Sequence, residues 1–391
     1  MNARIAIVTA NGQPNGGGER LLALYLEEQA RRACPTSVLF LQDGALASDA
    51  RALGHDVAVV EKGRLRNPVA YARTVRALRR WLQARRPAAV VSWDGTAQFF
   101  VGPAASGLHV PRFWYQQAPP SRHWHPILAN IVPCEGVIAC SSYVRAAQLR
   151  QLPHRPVAVV HPGIEAAATG QARGGARTAL GIPPRALVVL LVSRLERWKG
   201  VHVAIEAAAE VLARFPDAVF VHAGGRQLGD HGYAETLWAQ GSGLGDHWRF
   251  LGHVPPEALA TWYRAADVFV HPNDPNVGTE GFGMAVVEAM AAGLPVVVSA
   301  LGGPVEIVTQ GVDGILVPPG DAAALARAVS ELLGDPAARA RLGSAARIRA
   351  AAFSADTYPD RLRDALTSLV PSLSGGGGTL AGNEPHPDGA R

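Results

Sequence analysis

The feature that most constrains what this 391-residue chain can fold into is a rhythm. A short β-branched, apolar run gives way to a Gly, Pro or Asp turn, then to an Ala/Arg/Leu stretch with helical spacing, and the cycle repeats. Strands that alternate with helices form βαβ units and a parallel sheet. In the first half, strands are predicted over 5–9, 37–41, 56–60, 88–92, 112–115, 136–140 and 157–160, with helices over 19–32, 69–85 and 143–149. Residues 165–175 are rich in Ala, Gly and Thr without apolar periodicity, so they interrupt the rhythm as a linker. It restarts with strands over 187–193, 218–222, 267–271, 295–299 and 314–317 and helices over 201–215, 256–265, 284–292, 321–333 and 337–351. The predicted class is α/β: two Rossmann-like, doubly wound parallel-sheet domains facing a cleft. Their expected bounds are 1–165 and 181–352, with a linker over 166–180, a final helix over 353–371 packing back on the first domain, and a disordered, Gly-rich tail over 372–391.

Composition narrows the class. At 48% hydrophobic and 18% charged residues, the chain can bury two cores. No apolar run reaches the ~18 residues of a membrane-spanning helix, and the chain enters its first strand at Ile5 without a signal-peptide layout. Cys34, Cys134 and Cys140 form no Cys-x-x-Cys pair, which argues against a disulfide scaffold or a zinc site. The expectation is a cytoplasmic globular protein holding no metal and no cofactor.

Charge is divided unevenly. Residues 1–160 hold 19 Lys and Arg against 9 Asp and Glu, whereas residues 161–391 hold 18 against 23. A positive face draws phosphates, nucleic acid or anionic lipid; an Arg-rich solvated surface is the alternative. Of the 37 basic residues only Lys62 and Lys199 are lysines. Arg73, Arg76 and Arg80 recur at helical spacing with Arg79, Arg85 and Arg86 close by, over apolar Val69, Ala72, Val75, Leu78 and Leu82. That helix suits peripheral contact at the inner, anionic face of the cell membrane, or packs its apolar side on the sheet and leaves its arginines in water.

Three segments carry candidate chemistry. The first runs from His271 through Gly278, Glu280, Gly281, Phe282 and Gly283 to Met284 and Glu288: a strand end, a Gly-rich loop, then a helix. Glycines let backbone approach a ligand, and a helix N-terminus offers free N–H groups to an anion. Glu288 is the sole charge in an otherwise apolar helix, so a basic partner or a ligand's hydroxyls must satisfy it. Glu280 is either a ligand contact or a solvated acid favoured by the helix dipole. In the second segment, Arg194 ends a strand and Lys199 stands at the next helix entrance, two cations suited to a diphosphate or two surface charges. The third, Gly16-Gly17-Gly18, opens the first helix but lacks the Gly-x-Gly-x-x-Gly spacing of dinucleotide enzymes.

These residues together resemble glycosyltransferase family 4, retaining enzymes of the two-Rossmann GT-B fold. The resemblance runs from Gly16-Gly17-Gly18-Glu19-Arg20 to the final helix and is strongest over 187–335. Glu280 and Glu288 match the family's Glu-x7-Glu pair, Arg194 and Lys199 its diphosphate-binding cations, and Gly302-Gly303-Pro304-Val305-Glu306 its Gly-Gly-x-x-Glu. Phe250-Leu251-Gly252-His253-Val254 looks like the strand whose end meets the nucleobase.

What the resemblance implies is metal-independent transfer of a sugar from a nucleotide-diphosphate donor, of GDP-mannose or UDP-hexose type, to an acceptor hydroxyl on a glycan, lipid-linked saccharide or small molecule. Nucleic acid is not an implied partner. Glu280, Arg194 and Lys199 would act in catalysis. Glu288, Gly281, Phe282, Gly283, Met284 and Val254 would hold the donor, and Gly16, Gly17 and Gly18 the acceptor or a phosphate. Where many members place a histidine beside the reacting sugar this chain has Gln116 and Gln117, with His123 later, so Gln117 or His123 takes that contact. The rival readings are a non-catalytic two-domain sugar-nucleotide binder and another GT-B enzyme such as a nucleotide-sugar epimerase.

Overall fold

The computed structural model describes residues 5–14, 16–120, 129–165, 172–226 and 231–375. Two parallel sheets result. The first orders its strands β3-β2-β1-β4-β5-β6-β7, built from β1 (Ile5–Thr9), β2 (Ser37–Phe40), β3 (Asp56–Val59), β4 (Ala89–Ser92), β5 (Arg112–Gln116), β6 (Gly136–Ala139) and β7 (Val157–Val159). The second runs β10-β9-β8-β11-β12-β13, from β8 (Leu187–Val192), β9 (Ala218–Ala223), β10 (Trp248–Gly252), β11 (Val268–His271), β12 (Val296–Ser299) and β13 (Ile315–Val317). Both follow one plan: strands spread one way from the first strand, then the chain crosses back and continues on its other side. That reversal, between β1 and β4 and again between β8 and β11, opens a crevice beyond the carboxyl ends of the strands.

The central strands are continuous apolar runs because helices cover both faces; every residue of β4, β6, β11 and β12 is buried. One apolar cluster joins the two halves. It contains Tyr25, Trp93 and Tyr115 of the first unit, Phe353 and Tyr358 near the chain's end, and Phe269, Phe282 and Val286 of the second.

The helix Tyr358–Leu369 docks on the first sheet's β6 and β7 and on the helix Gly17–Arg31. Tyr358 meets Tyr25 edge to face, Arg32 pairs with Asp360 at 2.7 Å, and a side chain at Gly136 would strike Leu369.

The expected linker is partly wrong. Residues 166–171 lie outside the described residues, but Arg173–Ala179 is a helix packed against the helix Pro256–Ala265. Its two glycines hid it from the sequence pattern, and its anchor is polar: buried Arg177 donates to the Ala265 carbonyl at 3.1 Å and to Asp267 at 3.3 Å. Asp267 also pairs with Arg173 and accepts from the Val188 amide at 2.9 Å. The expected tail begins later than 372, since Pro371–Gly375 forms a 3-10 turn with Leu373 against the core; 376–391 lie outside the described residues.

Replacing Arg177 with Leu strands part of the Asp267 charge in a buried site. Removing one partner of such a pair costs about 3 kcal/mol, so the urea midpoint of the variant should fall clearly below wild type. An unchanged midpoint would mean that Arg173 alone suffices.

Candidate active site

The loop after β11 is shaped by close approaches that only glycine permits. Gly283, at φ +105°, turns the chain into the helix Met284–Ala291. Gly200, at φ +65°, ends the 3-10 turn Arg197–Lys199 so close to the Pro272 carbonyl that a Cβ would collide with it. These contacts bring two distant segments together. The Lys199 ammonium lies 4.0 Å from the Trp198 ring centroid and reaches the Glu280 carboxylate, which also meets His271 Nε2 at 3.2 Å.

Glu280 is therefore not a solvated helix-start acid. Its side chain is 15% exposed and that of Lys199 is 13%. Burial pushes the Glu280 carboxyl up, but the Lys199 charge and the His271 contact outweigh it and hold the group well below the usual carboxylate range. The His271 pKa is lowered as well: burial lowers it and Lys199 adds to this, against the pull of the Glu280 contact. The triad thus holds a carboxylate, an ammonium and a neutral imidazole.

Glu288 has a protein partner that its local sequence does not indicate. Its Oε2 accepts from the buried Tyr263 hydroxyl at 2.9 Å. Burial still raises its pKa above the ordinary value, against the pull of Tyr263 and of Arg20. Arg20 belongs to the first domain's glycine loop and opening helix, and it also pairs with Glu165 at 3.4 Å. Nothing local in the sequence links Arg20 to Glu288, because the two residues are far apart along the chain.

Arg194 lies apart from the triad. It pairs with buried Glu196 at 2.9 Å and lines a cavity of about 200 Å³ with Ser193, Gly224, His253 and Val254 at the carboxyl ends of β8, β9 and β10. Gly224 is required there, because any side chain would run into the Ser193 carbonyl.

The glycine loop faces the same region. A Cβ on Gly17 would sit 3.4 Å from the Met284 sulfur, and one on Gly18 would strike the Gln117 side chain. Gln117 Nε2 donates to the Trp93 carbonyl at 2.7 Å, while Trp93 Nε1 donates to the Gly18 carbonyl at 2.9 Å. The Gln117 backbone presses on Gly281. Gly17, Gly18, Gln117, Gly281 and Met284 therefore meet where the two sheets oppose each other. Gly16 precedes them at the helix start, Phe282 is buried behind them, and His123 lies outside the described residues. Among the described residues, no group of three or more His, Cys, Asp or Glu could hold a metal ion, and no helix is long and apolar enough to cross a membrane.

Comparison with known proteins agrees with this architecture. The family model for "Glycosyltransferase Family 4" matches residues 15–168, and that for "Glycosyl transferases group 1" matches 175–349. The D-inositol 3-phosphate glycosyltransferase of Corynebacterium urealyticum is 37% identical over 54% of this chain and 51% of its own length. D-inositol 3-phosphate glycosyltransferase 1 of Catenulispora acidiphila is 30% identical over 94% of this chain and 96% of its own. The chain spans about half the length of the first of the curated relatives it matches. Anabaena Alr3699/HepE, solved with UDP and glucose, superposes with a TM-score of 0.80 at 24% identity, covering 94% of this chain and 100% of that one. Sucrose-phosphate synthase of Thermosynechococcus elongatus superposes at 0.76 and 23% identity over 95% and 100%. The chain belongs to glycosyltransferase family 4, and its fold is GT-B.

The depressed Glu280 carboxyl has a signed consequence. A carboxylate whose folded pKa lies below its unfolded value of ~4.3 stabilises the fold above that value, and the contribution is lost as pH falls below it. Lys199→Met removes the main opposing charge, so the melting temperature should drop at pH 7 and depend less steeply on pH below 4.3. Parallel curves for variant and wild type would exclude the Lys199–Glu280 coupling.

Proposed function

We propose that the chain transfers a sugar from a nucleotide-diphosphate sugar to an acceptor hydroxyl with retention at the anomeric carbon, without a metal. The observation that carries the reading is the Lys199–Glu280–His271 cluster at the second sheet's carboxyl edge, one helix start from Met284 and facing the first domain's Gly17, Gly18 and Gln117. Family membership supports it, and the solved neighbours named with UDP and UDP-glucose favour a uridine donor.

In this reading the base enters the cavity beside Arg194 and Val254, and Glu288 accepts the ribose hydroxyls. Gly281 to Met284 offer backbone to sugar and phosphate. The bond from the anomeric carbon to the diphosphate oxygen breaks as the acceptor oxygen bonds that carbon on the same face. The acceptor's proton passes to the leaving diphosphate. Negative charge grows on that diphosphate, and in this reading Lys199, Arg194 and the N-terminus of the Met284 helix stabilise it. A bound diphosphate competes with Glu280 for the Lys199 ammonium and so frees the carboxylate for the sugar hydroxyls.

The acceptor is read as anionic. The names of the relatives point to an inositol phosphate, and the first domain carries the basic excess. Leu78 and Leu82 of the helix Pro68–Arg85 are buried on the sheet, while Arg73, Arg76 and Arg80 are exposed. Any membrane contact through this helix is therefore electrostatic and salt-sensitive.

UDP should stabilise the chain to heat, by about 2.7 kcal/mol at a hundredfold excess over its dissociation constant. Arg194→Ala and Lys199→Ala should each lower kcat/KM by about 10–150-fold, the worth of a charge-assisted contact. Glu288→Gln should chiefly weaken donor binding in calorimetry, and Glu280→Gln chiefly lower turnover. Activity should survive EDTA; loss restored by magnesium or manganese would refute metal independence.

For the acceptor, inositol phosphate should outcompete inositol by at least tenfold in kcat/KM. Retention of Arg73/Arg76/Arg80→Ala on anionic vesicles at low salt, equal to wild type, would remove the membrane role of that helix.

A further inference from the structure

The helix Ser142–Gln151 belongs to the first domain, yet its first turn is bonded to the second. Ser141 is fully buried. Its Oγ accepts from the Val144 amide at 3.1 Å, as a helix cap does, and donates to the Gly281 carbonyl at 2.6 Å. The next two amides, of Ser142 and Tyr143, donate to the two carboxylate oxygens of Glu306 at 2.8 and 2.7 Å. His161 Nε2 meets the same carboxylate at 3.2 Å, and its ring stacks on Phe282 with centroids 5.5 Å apart and planes inclined by 24°.

All these contacts end in one place. Gly281 and Phe282 directly follow Glu280. The loop carrying Glu306 is tied to the same segment, because the Gly303 amide donates to the Glu280 carbonyl at 3.0 Å and any Cβ on Gly303 would overlap Phe282. The helix itself needs none of this. Its cap is complete once Ser141 accepts from Val144, and water could serve the next amides. A carboxylate is instead supplied across the domain boundary, 164 residues away in sequence, at the helix end where negative charge is favoured.

We propose that Ser141 and Glu306 are positioning residues that couple the seating of the first domain to the conformation of the Glu280–Gly283 loop. With the helix end docked, the Gly281 carbonyl is fixed and Glu280 is presented against Lys199 and His271. With the domains apart, the loop loses both the Ser141 hydroxyl and the brace through Glu306, and the donor site loosens. Loop order thus becomes conditional on domain closure, which ties the reacting geometry to the arrival of the acceptor side. This rests on the glycosyl-transfer reading for its consequence, though not for the coupling itself.

Hydrogen–deuterium exchange on the full chain without ligand tests the coupling independently of any activity. Ser141→Ala and Glu306→Gln should each speed exchange over residues 278–286 by about tenfold, the worth of one buried hydrogen bond, with β12 unchanged. Ser141→Thr keeps a hydroxyl and should stay near wild type. In transfer from UDP-glucose, the first two variants should lose about tenfold in kcat with donor KM within about twofold, and Ser141→Thr should recover most of it. Unchanged loop exchange in both variants overturns the proposal. So does faster exchange spread evenly over β12, which would mark general destabilisation. If wild type transfers no sugar from any donor, the functional reading fails, and the exchange data still decide the coupling.

Discussion

A buried carboxylate organises the second domain's working edge. Glu280 could not remain charged with so little exposure unless an opposite charge were carried to it, and Lys199 is that charge. Bringing Lys199 there explains features that look unrelated in the chain: the left-handed Gly200, the Trp198 ring beneath the ammonium, and Gly278, where a Cβ would sit only 3.1 Å from Trp198. The attraction of the pair outweighs the cost of burying the carboxylate. Its value is definition: the loop has one arrangement that leaves no charge unpaired.

Much of this was legible beforehand, for a local reason. Alternating strands and helices, a Gly-rich loop before an apolar helix, and carboxylates spaced eight apart are written within short windows of sequence. The GT-B architecture and the candidate loop follow from such windows. What escaped depends on contacts between residues far apart. The sequence around Glu288 calls for a base or a ligand, and nothing in it points to Tyr263, although that residue lies only 25 positions away. The bonds from Ser141 to Gly281 and from His161 to Glu306 span 140 and 145 residues. The helix Arg173–Ala179 was missed because Gly174 and Gly175 weaken its propensity, while its anchor, Arg177 on Asp267, is a tertiary contact.

The two sheets share one strand order but not one pattern of contact at their carboxyl edges. In the first, Asp94 is held within its own domain: it accepts from the Ala10 amide at 2.7 Å, from the Thr96 and Ala97 amides at 2.9 Å and from the Thr9 hydroxyl at 3.2 Å. At that edge the Asp94 carboxylate braces the loops around it. The second edge keeps charges in a mutual pairing that an incoming anion can disturb. The same architecture thus supplies a fixed wall on one side and an exchangeable set of ions on the other.

The last helix has a consequence for synthesis on the ribosome. Strands β1 to β7 are complete by residue 159, but the face bearing Tyr25, Tyr115 and Gly136 is covered only when Tyr358 and Leu369 have been made. At about 5–20 residues per second, the first sheet waits roughly 10–40 s with an apolar face open. During that interval the nascent first domain is a natural client for chaperones, and the second domain folds beside an unfinished neighbour. Sealing of the first domain therefore waits for the helix Tyr358–Leu369, which is made after the whole of the second sheet.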